Sequence, residues 1–131
     1  MPKEESPNNL RLFQKLYNKN RESLIFSSLA EEYRELGMIT EAIQTSLEGL
    51  SSFPDCASAR TTLALCYMDR GDVEGARREL EKVISKDCNL LYPLSLLMKC
   101  YEKNGEIDKA LQIARHILKK YPFDNELDIK V

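Results

Sequence analysis

The sequence predicts an all-α solenoid, a row of helical hairpins stacked side by side, and three observations predict it. Tyr33, Tyr67 and Tyr101 stand 34 residues apart, and Gly37, Gly71 and Gly105 follow in the same step. Leu29, Leu63 and Leu97 precede those tyrosines at that period, and Ala42, Ala76 and Ala110 continue it. Within each period, apolar residues recur at helical spacing, a glycine interrupts, and a second amphipathic run begins. One such unit cannot bury its own apolar face, so neighbours must cover one another.

The first element is an extra helix ahead of the repeats. Pro7 followed by LRLFQKLYNK puts Leu10, Phe13, Leu16 and Tyr17 on one stripe, which predicts a helix over about 8–19 covering the first repeat. In the first hairpin Leu29, Ala30 and Tyr33 pack with Ile39, Ala42 and Leu50. In the middle one, helices over 57–70 and 73–86 bring together Leu63, Ala64 and Tyr67 with Val73, Ala76, Leu80, Val83 and Ile84. The third joins Leu97, Met98 and Tyr101 to Ile107, Ala110, Ile117 and Leu118. Each glycine ends a first helix with positive φ, which costs glycine nothing. Pro54 and Pro122 stop second helices, Pro93 opens its helix, and Asp55, Asp87 and Asn89 are expected N-caps.

The expected organisation is a flexible N-terminus at 1–6, a capping helix at 7–21, repeats at 22–55, 56–89 and 90–123, and a tail or start of a further helix at 124–131. Only NELDIKV follows Asp124, too little for a polar terminal cap. The last hairpin's face is then covered by Leu127, Ile129 and Val131 folding back, by a second molecule, or by further chain. Continuation is the favoured expectation, and a homodimer through the C-terminal helix pair is the second-molecule form.

Composition narrows the function. The 131 residues are 43% hydrophobic and 31% charged, with net charge −2, which offers no overall positive field to nucleic acid or anionic lipid. The most apolar stretch, Leu90 to Met98, is broken by Pro93 and Ser95 and is half the length of a membrane span. MPKEESPNN has no hydrophobic core, so the expected location is cytoplasmic. Cys66 and Cys100 each precede a repeat tyrosine and read as small core fillers. Cys56 and Cys88 fall in loops without metal-ligand spacing, and the one histidine, His116, reads as an outward residue beside Arg115 and Lys119. There is no Gly-rich phosphate loop and no nucleophile motif, so no enzyme, metal or cofactor is expected. The basic run Arg115, Lys119 and Lys120 ends a helix, where cations complement the dipole, and nucleic-acid binding is not expected.

The segments LAEEY…G…A…P, LALCY…G…A and LMKCY…G…A…P resemble the tetratricopeptide repeat (TPR) family, over about residues 23 to 124. The resemblance implies a superhelical array of antiparallel helix pairs that binds protein or peptide partners. Several positions depart from the family pattern. Phe26, Arg60 and Leu94 stand where the family prefers a tryptophan or other large residue, and Ser46, Leu80 and Ala114 where an aromatic is usual in the second helices. Cys88 replaces the loop proline, and Glu32 takes a place usually small and buried. These departures predict that the first repeat is the least stable.

In this family the first helix of each pair lines the concave surface. A wheel at 100° per residue, centred on each core tyrosine, assigns that lining. It holds Leu24, Ser28, Glu31 and Glu35, then Ser58, Thr62, Leu65 and Asp69, then Tyr92, Leu96, Lys99 and Lys103. The lining grades from acidic to basic, with an exposed apolar cluster expected at Leu65, Tyr92 and Leu96, which suits a peptide with apolar anchors and charges. The carboxylate clamp for heat-shock chaperones is not matched, because Ser27 and Glu31, Thr62, then Tyr92 and Leu96 occupy its positions. The expected function is a non-catalytic adaptor or scaffold. The rival reading is a small secretion-type chaperone that keeps one hydrophobic client soluble.

Overall fold

The pattern above predicts seven helices, and the computed structural model forms seven among the residues it describes. It describes the backbone of residues 2–122 and the side chains of 9–122. In chain order the helices are α1 (Pro2–Lys19), α2 (Ile25–Glu35), α3 (Ile39–Ser52), α4 (Ala57–Asp69), α5 (Val73–Lys86), α6 (Leu91–Lys103) and α7 (Ile107–Lys120). No strand occurs among the described residues. The tail at 124–131, with Leu127, Ile129 and Val131, lies outside them. The fold is an all-α solenoid, and its contacts divide it into two units, Met1–Asp72 and Val73–Val131.

In the first unit α1 packs on α2, α2 on α3 and α4, and α3 on α4. Tyr17, Phe26, Leu29, Leu50, Ala59 and Leu63 form its buried cluster, with Leu10 and Phe13 packed against it. Leu16 is exposed. Tyr17 takes the inward place, and the residue before it on a helix points about 100° away. The Phe26 and Phe53 rings stack with centroids 6.0 Å apart. Phe26 also fills the space beside Gly49, where an added Cβ would fall 1.9 Å from its ring. In the second unit α6 packs against both α5 and α7. Leu80, Leu94, Leu97, Cys100 and Ala110 are buried there.

The repeat glycines take φ of 81°, 82° and 77° at Gly37, Gly71 and Gly105. In all three turns the residue after the glycine donates its N–H to the repeat tyrosine's carbonyl. Met38 reaches Tyr33, Asp72 reaches Tyr67 and Glu106 reaches Tyr101, each at 2.8 Å. This closure satisfies a helix-terminal carbonyl and needs the left-handed residue that glycine supplies.

Four local expectations are corrected. Helix α1 starts ahead of Pro7, reaching back to Pro2 across positions read as a flexible lead-in. Helix α4 is capped at Cys56 and α6 at Leu90, neither with a side-chain bond, so Asp55, Asp87 and Asn89 are not N-caps. Asp87 instead accepts the Asn89 N–H at 3.0 Å within the loop. Pro93 is the third residue of α6, not its first, and it sits where an N–H has no intrahelical partner in any case.

All four cysteines are free. Cys66 and Cys100 are fully buried, and burial pushes the Cys66 thiol up to about 11 and raises that of Cys100. They behave as small apolar fillers, because only the thiolate is reactive.

Candidate partner-binding surface

In the first unit α2 and α4 lie side by side. Leu24 is the residue capping α2 and is exposed, whereas Ser28 is half-buried. Glu31 and Glu35 are exposed one turn apart. The Glu31 carboxyl is raised, first by burial and then by the charge on Glu35, so a cation supplied from outside would be favoured there. On α4, Ser58 is exposed with its Oγ 2.7 Å from Ser27 Oγ. Thr62 is buried and Leu65 half-buried. Asp69 is already paired, accepting from Arg34 Nε at 2.9 Å and Arg34 Nη2 at 3.3 Å. The free negative charge expected on this face therefore narrows to Glu31 and Glu35.

In the second unit Tyr92 is 58% exposed on α6, and Lys99 and Lys103 are exposed on the same helix. Leu96 is not, at 5% exposure. The expected exposed cluster of Leu65, Tyr92 and Leu96 is corrected accordingly. A wheel centred on one tyrosine takes that tyrosine as the middle of the buried arc of a first helix. On α6, however, the buried residues Pro93, Leu94, Leu96, Leu97, Cys100 and Tyr101 span an arc of about 160°, with Tyr101 near one edge and Leu96 at the other. The open strip is shifted away from Leu96 and runs through Tyr92, half-buried Ser95, Lys99 and Glu102. Ser95 and Glu102 were missed, and for Ser95 the polarity between Leu94 and Leu96 was the available signal.

Each unit also has a recess that periodicity alone does not show. In the first it holds about 460 Å³ between Gln14, Tyr17, Arg21, Tyr33, Gln44 and Glu48. Its polar groups bond one another. Gln14 Nε2 donates to Tyr33 Oη at 2.9 Å, Arg21 Nη1 to Glu48 at 2.9 Å, and Tyr17 Oη to Glu48. Burial, then the bond to Glu48, pushes the Tyr17 hydroxyl up to about 12, while that bond holds the Glu48 carboxyl below its usual range. In the second unit the recess holds about 380 Å³ between Ile84, Leu94, Tyr101, Lys109, Ile113 and His116. Tyr101 Oη donates to Glu81 at 2.7 Å, and burial, then that bond, pushes it up to about 12. His116 is half-buried at this recess with Nε2 2.9 Å from the Cys88 carbonyl, a more anchored place than the expected outward one.

Among the described residues no group of three or more His, Cys, Asp or Glu could hold a metal ion. Nor is any described helix long and apolar enough to cross a membrane.

Comparison with known proteins agrees with this architecture. The family model described as Tetratricopeptide repeat matches residues 59–87 and 94–124. A curated relative, the TPR repeat-containing protein YvcD of Bacillus subtilis (strain 168), is 28% identical over 107 residues, 82% of this chain. The chain spans 22% of that relative's length. Among solved structures, MamA superposes with a TM-score of 0.82 at 18% identity, over 92% of this chain and 71% of the other. A thermophilic TPR protein of Thermus thermophilus, TTC0263, does so at 0.77 and 20% identity, over 92% and 68%.

Proposed function

We propose, for a chain that belongs to the tetratricopeptide repeat family, a non-catalytic adaptor role in which the exposed strips of its first helices hold a segment of a partner protein. The fold is in general a protein–protein interaction module, and the segment's chemistry is read from this chain's side chains. The observation that carries the reading is Tyr92, a large aromatic left 58% exposed beside Lys99 and Lys103. Tyrosine offers wide contact area at low entropic cost, and two cations alongside favour an acidic stretch with an apolar anchor. In the first unit, Leu24 with Glu31 and Glu35 suits a basic stretch. The free thiols agree with a reducing compartment, and the cytoplasm is the proposed location.

The test is affinity capture with wild-type chain and with Tyr92→Ala/Lys99→Glu/Lys103→Glu. All three sites are exposed, so the variant should keep its helical circular dichroism. A Leu96→Glu change would bury a charge and is unsuitable. We expect the variant to lose the partners that the wild type holds. Equal capture by both would move the binding surface elsewhere. One hydrophobic client that copurifies through washing and survives the triple change would favour the secretion-chaperone reading.

A further inference from the structure

Helices α3, α5 and α7 occupy equivalent places in successive repeats; α4 follows α3 and α6 follows α5, and the described residues end two positions after α7. The stripe at issue in α3 is Ile39, Ile43, Ser46 and Leu50. There α4 packs on the helix, Ser46 and Leu50 are buried, and Ile43 is packed against the core cluster. In α5 the packed neighbour is α6, and Leu80 is fully buried. The same positions of α7 are Ile107, Leu111, Ala114 and Leu118. Ile107 is 53% and Leu111 46% exposed, and Leu118 is exposed as well. A water-facing stripe of three large aliphatics on one helix is uncommon, whereas isolated ones are not.

Charge decides what covers it. One flank of the stripe carries Asp108 in the first turn and Arg115 and Lys119 towards the end, all exposed. None of the three makes an ion pair among the described residues. Arg115 and Lys119 are like charges one turn apart, an arrangement that is destabilising until an acid stands opposite. When a helix packs on an antiparallel copy of itself, the same flank of each faces the other. The register that sets Ile107 against the copy's Leu118 and Leu111 against its Ala114 brings Asp108 level with the copy's position 117. That is midway between Arg115 and Lys119 of the copy, about 3 Å along the axis from each. Two-fold symmetry makes the contact twice.

We infer that α7 is a self-association surface, and that its occupant is the α7 of a second copy, packed antiparallel. The surface is separate from the strips assigned to partner binding. Loss of one is therefore readable without loss of the other.

Sedimentation equilibrium of the full 131-residue chain across a wide concentration range tests this. A monomer–dimer equilibrium is expected, with the dissociation constant raised about a hundredfold or more by Leu111→Glu, as for a central apolar contact. Because Leu111 is exposed, helicity should be unchanged. Asp108→Lys should weaken the dimer about tenfold, and adding Arg115→Glu and Lys119→Glu should return it close to the wild-type constant. A wild-type chain that stays monomeric overturns the inference. So does a dimer indifferent to Leu111→Glu, or a failure of the charge exchange to restore association. If deleting 123–131 turns a monomer into a dimer, the tail is the native occupant and the second copy is not.

Discussion

Where the first unit has Phe26 against Gly49, the second has Leu94 and Ile117 at the positions two periods on. The volume is shared differently between the two helices, one large ring over no side chain in place of two branched aliphatics. The polar content differs as well. In the first unit Glu32 Oε2 and Ser46 Oγ are buried without a hydrogen-bond partner. Their equivalents in the second unit are Cys100 and Ala114, which raise no such demand. The recesses follow the same division, with a bonded polar lining in the first unit and a more apolar one in the second. The comparison teaches that a repeat constrains spacing and helix ends tightly while leaving its interior open to more than one packing. It also supports the first repeat as the weaker one, since buried groups left unbonded carry their full desolvation cost.

The largest expected effect tests the volume exchange. Gly49→Ala places a methyl inside the Phe26 ring and should cost about 3 kcal/mol through overpacking. Phe26→Leu in the same chain, which imports the second unit's aliphatic, should recover most of that loss in denaturant unfolding. If the double variant is as unstable as the single one, the two positions are not complementary.

Next in size is Ser46. It is fully buried with no partner, so Ser46→Ala should stabilise by about 1 kcal/mol. A lower unfolding midpoint for the variant would show that the hydroxyl is bonded after all.

The smallest effect asks what the units share. Tyr17 in the first and Tyr101 in the second are both raised from 10.0 to about 12. A hydroxyl raised on folding contributes stability that is present below pH 10 and lost as pH climbs towards 12. Near-ultraviolet titration should find Tyr17 and Tyr101 ionising late, and unfolding should abolish their delay. Removing the carboxylate with Glu48→Gln should bring forward Tyr17 alone. Ionisation of Tyr17 and Tyr101 in the folded chain at the pH of a free tyrosine would contradict their buried placement.

By itself the sequence determined the helices, their order and the turns between them. Evenly spaced Leu, Tyr, Gly and Ala encode local events: an apolar stripe at helical period, a left-handed glycine and a small contact residue. The second helix of the middle repeat, at 73–86, was legible to the residue for that reason. Tertiary structure decided whatever depends on who stands opposite. It buried Leu96 and Thr62 within the expected lining, paired Asp69 with Arg34, turned Leu16 outward and set Phe26 over Gly49. Burial and ion pairing are properties of two surfaces meeting, and a wheel drawn on one helix contains only one of them.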